Sequence, residues 1–145
     1  MIGKIVAISI SEKRGMKKKN VKSAVLIEDN GIQGDAHAGQ GDRQISLLAL
    51  ESINKMRDDS ISLNPGDFGE NITTIGLNLM KLSIGSILKI GEKVVIKITQ
   101  KGKLCHNRCS IYNSVGDCVM PREGVFGVVI QGGHIVPNDI IKVEN

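Results

Sequence analysis

Seventeen glycines cut this 145-residue chain into apolar runs that are mostly too short for helices. No other feature restricts its fold as much. Leu82 to Ile90 and Val94 to Thr99 are separated by Gly-Glu-Lys, which reads as a hairpin turn. Val125 to Gln131 and Asp139 to Val143 read as strands flanking "GGHIVPN". At the other end, Ile2 to Ser9 sets Ile2, Lys4, Val6 and Ile8 against Gly3, Ile5, Ala7 and Ser9. Both sets carry apolar residues, which predicts a well-buried strand. Val21 to Glu28 reads as a second strand, and another follows the turn-rich stretch that ends at Gly69. One helix stands out, "ISLLALESINKMRDD", with Leu47, Leu50, Ile53 and Met56 near helical spacing and Ser46 as its cap. About seven short strands and one helix predict a mainly β fold with few helices. Its sheet should be mostly antiparallel and closed or strongly curled. No repeat or composition break divides the chain, so residues 1–145 read as one domain.

Composition narrows the function. Apolar residues make up 41% of the chain, but its aromatic side chains are only Phe68, Tyr112 and Phe126. The core must therefore come from Ile, Val, Leu and Met. Single-stranded nucleic acid is usually bound by stacking bases on aromatic rings, so that class of partner is not expected. The net charge of +4 is concentrated in "SEKRGMKKKNVKS". Such a run is either a solvated loop or an attractor of phosphate groups. No apolar stretch approaches the length of a membrane span, and the alternating start "MIGKIVAISIS" lacks the continuous apolar core of a signal peptide. The expected setting is cytoplasmic, with no membrane partner and with thiols reduced.

That setting bears on Cys105, Cys109 and Cys118, spaced C-x3-C-x8-C with His106 beside the first. An odd number of thiols in a reducing compartment argues against a disulfide framework. Three sulfurs and an imidazole could hold zinc, though structural zinc sites usually pair their ligands as C-x2-C. Free cysteine also packs as a small apolar residue, which suits Cys118 ahead of Val119 and Met120. Cys105 has different surroundings in sequence. Lys101, Lys103, His106 and Arg108 lie within four residues of it. Nearby positive charge favours the thiolate, the form that attacks sulfur or ligates a metal. Cys109 lies four residues further on and would share a face with Cys105 if the segment turns as a helix.

A second constellation occupies the long loop "DNGIQGDAHAGQGDRQ", which is too long to be only a connector. Asp35 and His37 stand two apart, an arrangement that in an extended segment lets the carboxylate orient the imidazole for acid–base work. The alternative is a hydrogen-bonded loop brace. Arg43 and Gln44 follow, and "PGDFGENI" adds Glu70 and Asn71 after a glycine-rich turn. The chain has no P-loop, dinucleotide fingerprint, H-E-x-x-H or G-x-S-x-G.

Taken in order, "GIQGDAHAGQGDRQISLL", "NPGDFGENITTIGL" and "ITQKGKLC" resemble the MOSC domain, the family named for the C-terminal domain of molybdenum cofactor sulfurases. The resemblance runs from Gly3 to Val143, and "CHNRCSIYNSVGDCVMPREGVF" is similar to the short stand-alone bacterial branch. It implies a MOSC-like β-barrel. It also implies molybdenum cofactor (molybdopterin) binding, or sulfur carriage as a cysteine persulfide for metal–sulfur centres. Cys105 matches the family's signature cysteine, the metal ligand or sulfur carrier, with Asp35 and His37 beside it as catalytic candidates. Arg43 is the match for a phosphate contact, with Lys17 to Lys19 in support. Gln44, Glu70, Asn71 and Cys109 complete the cofactor-binding candidates. Expected partners are a cysteine desulfurase or other sulfur donor, and molybdenum cofactor biosynthesis proteins or an acceptor molybdoenzyme.

The chain departs from the family's pattern in two places. Its "QKGKLC" lacks the prolines of the Q-P-R-x-P-C run in reductase members, and the pyridoxal-phosphate domain of full-length sulfurases is absent from this sequence. Two alternatives stand beside the cofactor reading. One is a molybdenum-dependent reductase of N-hydroxylated compounds served by an external electron donor. The other is a zinc-stabilised, non-catalytic binding module.

Overall fold

Strand pairing organises the chain. The computed structural model describes residues 1–39, 41–57, 62–102 and 119–144. Its strands are β1 (Ile2–Ile10), β2 (Lys19–Val21), β3 (Ala24–Ile27), β4 (Gly31–Ile32), β5 (Ile45–Ala49), β6 (Ile72–Ile75), β7 (Ile87–Ile90), β8 (Val94–Lys101), β9 (Val125–Gln131), β10 (Gly133–Ile135) and β11 (Ile140–Glu144). Two short α-helices accompany them among the described residues, α1 (Leu50–Met56) and α2 (Met120–Glu123), with a 3-10 turn at Leu79–Lys81. The main sheet runs β11-β7-β8-β9-β5-β6-β1, and β1 pairs back to β11, closing a seven-stranded barrel. All its pairings are antiparallel except β5 with β6. Closure removes the unpaired edges that an open sheet would leave. Strand β2 hangs on β1 as an eighth member, and β10-β3-β4 form a separate small sheet. No described helix is long and apolar enough to cross a membrane.

The barrel interior is aliphatic. Ile5, Ile8, Ile45, Leu47, Ile72, Leu88, Ile96 and Ile141 are all fully buried there. A second apolar cluster lies outside the barrel wall, where Leu48, Ile53, Phe68, Met120 and Phe126 meet. Neighbouring strand residues point to opposite faces. Leu47 and Val125 therefore serve the first cluster, and Leu48 and Phe126 the second.

The single strand expected over Val21–Glu28 is split between β2 and β3, which lie in different sheets, and two further sequence expectations need correction. The first is the helix over residues 45–59. Ile45–Ala49 is instead a strand with all five residues buried, and the helix covers only Leu50–Met56. An apolar run buried on both faces satisfies helical and extended patterns alike, and pairing with β6 and β9 decides the matter. Ser46 is therefore not a cap. Ala49 occupies that position and makes no side-chain capping bond. The second is the strict alternation of the first strand. A bulge between Ile5 and Ala7 shifts the register against β6. A bulge adds one residue to its strand, so Ile5 and Ile8 both end in the core while Lys4 stays outside.

Candidate functional site

The basic run is not uniformly solvated. Lys17 and Lys19 are exposed, but Lys18 is buried, and its side chain is fully out of solvent. Its backbone is pinned from the far side of the chain. The Lys18 amide donates to the Gly66 carbonyl at 2.8 Å. Gly66 has φ +94°, and a Cβ there would stand 2.5 Å from the Lys18 oxygen. Only glycine permits both the left-handed backbone and that approach.

The buried ammonium is held by side chains from the 29–44 loop and from the end of β1. Lys18 Nζ donates to Asp35 Oδ1 at 2.7 Å, to Ser11 Oγ at 3.0 Å and to His37 Nδ1 at 3.1 Å. Asp35 is equally enclosed, its side chain fully out of solvent. Two backbone amides also donate to its carboxylate, Ser11 to Oδ1 at 3.1 Å and His37 to Oδ2 at 3.0 Å. Burial works to raise the Asp35 pKa. The Lys18 ammonium and the backbone amides of His37 and Ser11 outweigh it and hold the carboxyl well below the usual carboxylate range.

The sequence places Asp35 and His37 together, and the structure does so by a different geometry. Residues 35–38 form a turn closed by the Ala38 amide on the Asp35 carbonyl at 3.2 Å, not an extended segment. An aspartate that folds back onto a nearby amide is a common way to set such a turn. The His37 ring stands off, with Nδ1 3.7 Å from Oδ2, beyond hydrogen-bond reach. Asp35 therefore holds His37 through its backbone amide and through Lys18, rather than directly through the ring.

The same loop is fastened at its other end to β8 and β9. Thr99 Oγ1 donates to the Asp42 carbonyl, and the Gln44 amide donates to the Gly127 carbonyl at 3.1 Å. Arg43, between them, is exposed. Strand β8 ends at Lys101, and the Gly102 amide bonds the Gly124 carbonyl just beyond α2 at 2.7 Å. Between those glycines, Cys105, His106, Cys109 and Cys118 lie outside the described residues. Among the described residues no group of three His, Cys, Asp or Glu side chains could hold a metal ion.

Gln44, Asn71 and Glu70 serve inside the wall. Gln44 Nε2 donates to Asp29 Oδ1 at 2.9 Å, and its Oε1 accepts the Val129 amide at 3.0 Å. Asn71 Nδ2 donates to the Ser9 carbonyl at 3.1 Å, and Oδ1 accepts the Ser46 amide at 3.0 Å. Both side-chain amides are spent on bracing. Glu70 is fully buried, with Oε2 accepting Thr73 Oγ1 at 2.7 Å and Oε1 without a hydrogen-bond partner among the described residues. Burial pushes its carboxyl up, against the lowering effect of the nearby Gly66 amide and the Thr73 hydroxyl.

Lys18 is the residue that sequence reasoning missed individually. Within "KKK" no local signal separates the middle lysine from its neighbours. A concavity of about 570 Å³ lies elsewhere, lined by residues that include Glu51, Ser52, Lys55, Leu79, Met80 and Glu123. None of the candidate site residues lines it.

Solved structures share this architecture. The YuaD protein from Bacillus subtilis is similar with a TM-score of 0.81 at 18% identity, covering 99% of this chain and 96% of its own. YiiM from Geobacillus stearothermophilus gives 0.75 at 18% identity, over 99% of this chain and 75% of that one. YiiM from Escherichia coli gives 0.70 at 19% identity, over 100% and 70% respectively. No curated protein matches the chain. The family model described as MOSC domain matches residues 34–142, which take in Asp35, His37, Arg43 and the cysteine segment. This chain therefore belongs to the MOSC domain family.

Proposed function

We propose that this protein handles the molybdenum cofactor. It binds the cofactor or a precursor, and the Cys105 sulfur either ligates the metal or carries sulfur as a persulfide. The observation that supports this best is the fastening of the 29–44 loop. One end is bonded to the buried Lys18–Asp35 pair, and the other to Thr99 on β8, six residues before Cys105. A rigid scaffold thus carries His37 and Arg43 on the loop bonded to the strand that leads into the cysteine segment.

The described residues suit an anionic group. Arg43, Lys17 and Lys19 are exposed cations, and the Asp35 carboxylate is already paired with Lys18. An exposed guanidinium matches a phosphate geometrically, with two parallel N–H donors. When bound, the cofactor would supply the redox and ligand-exchange chemistry of molybdenum. Soft thiolate is the appropriate protein donor both for such a metal and for sulfur. In the carrier role the Cys105 thiolate attacks the outer sulfur of a donor persulfide. The donor leaves as a thiolate, and the sulfur stays on Cys105.

The test is to produce the protein together with molybdenum cofactor biosynthesis proteins and measure molybdenum by mass spectrometry and pterin by fluorescence. Metal and pterin on the wild type that are lost in Cys105→Ser would support cofactor binding. A protein with neither, and with no sulfur on Cys105 after exposure to a persulfide donor, would overturn the reading.

A further inference from the structure

The Lys18–His37 contact determines which hydrogen-bonding group the candidate site presents. A lysine ammonium has three donors and no lone pair. The Asp35 carboxylate 2.7 Å away favours the ammonium form of the enclosed Lys18. At 3.1 Å from Lys18 Nζ, His37 Nδ1 can only accept. A neutral imidazole has one accepting and one donating nitrogen, so its proton must sit on Nε2. That nitrogen is on the side of the ring away from Lys18. It makes no hydrogen bond among the described residues, and the side chain is 18% exposed.

We propose that Lys18 is a positioning residue that fixes His37 as its Nε2–H tautomer, so that the site offers a neutral N–H donor to an anionic oxygen of its ligand. This rests on the cofactor-handling reading and changes the role assigned to His37. With its lone pair occupied by Lys18, the ring is a hydrogen-bond donor at Nε2, not a proton acceptor there. Asp35 completes the device. It counters the Lys18 charge, and its Oδ2 takes the His37 amide at 3.0 Å, which sets where the ring stands. Ser11 takes another Lys18 hydrogen and ties the end of β1 to the same point.

The experiment is nitrogen NMR of the imidazole rings in the full-length, uniformly labelled protein near neutral pH. The His37 signals are identified by their loss in His37→Gln. The wild type should show a single tautomer, with Nδ1 unprotonated and Nε2 protonated. Lys18→Met should lose that single-tautomer pattern, and Lys18→Arg, which keeps a cationic donor, should restore much of it. Added molybdate, the oxyanion probe, should shift the Nε2 signal more than Nδ1.

A wild-type ring protonated on Nδ1, alone or with Nε2, would overturn the proposal. So would a Lys18→Met protein whose ring signals stay unchanged, or molybdate that moves neither nitrogen. If the lysine variant fails to fold, the wild-type spectrum and the molybdate titration still decide. The tautomer is read without any cofactor. A failed tautomer with successful cofactor loading would therefore sink this inference alone, and the converse would sink the functional reading alone.

Discussion

Two lysine–carboxylate pairs in this protein have nearly the same length and very different surroundings. Lys18 and Asp35 meet at 2.7 Å with both side chains fully out of solvent. Lys55 on α1 and Glu123 on α2 meet at 2.6 Å with side chains 63% and 22% exposed. The contact distance ranks them as equals, but the solvent does not. Water and salt screen the outer pair, and holding two long side chains in place offsets much of its attraction. The inner pair has no water to fall back on, so each charge depends on the other. The outer pair joins two helices across a cleft. The inner pair also holds an imidazole, a strand end and a turn.

The largest expected effect comes from breaking the inner pair from one side. Asp35→Ala should cost about 3–5 kcal/mol, because it strands a buried ammonium. Denaturant unfolding at low and high salt would measure it, and the cost should change little with salt. The Asp35 carboxyl titrates lower in the folded protein than in the unfolded one. Its stabilising contribution is thus fully present above the ordinary carboxylate pKa of about 4 and is lost as pH falls below that.

Next is Gly66→Ala, which strains a left-handed residue and drives a methyl group into the Lys18 carbonyl. A loss of about 1–3 kcal/mol is expected, and thermal unfolding would read it. A substitution tolerated without loss would mean that Lys18 is not pinned from that side.

Glu70 has the opposite sign. Its folded carboxyl keeps its proton to higher pH than the unfolded one does. Its contribution is favourable below the unfolded pKa and is lost as pH rises through the folded value. Glu70→Gln should therefore raise Tm at pH 7 and change it little near pH 4. The smallest effect belongs to the outer pair. Glu123→Ala should cost no more than about 1 kcal/mol, and less in high salt. A large loss there would remove the distinction between the two pairs.

Much of the barrel was legible because its strands carry their own punctuation. The Gly91–Lys93 hairpin and the strands on either side of it are set by local sequence. Strands β2, β4 and β10 have two or three residues each, and only their partners define them. Ile45–Ala49 misled because a doubly buried strand has no polar face to reveal its period. At the site, the Asp35 and His37 spacing was readable, but Lys18 was not. Its burial is imposed by Gly66, forty-eight residues away in sequence. The amides of Gln44 and Asn71 are equally invisible as braces, since their partners lie on other strands.

The most direct measurement is anaerobic mass spectrometry of the Cys105 peptide after incubation with a cysteine desulfurase and cysteine, with molybdenum and pterin content determined on the same preparation. The expected result is one added sulfur on Cys105 and none on Cys118, or molybdenum and pterin that disappear in Cys105→Ser. Sulfur on Cys118 instead of Cys105, or a protein that takes up neither sulfur nor cofactor, would contradict it.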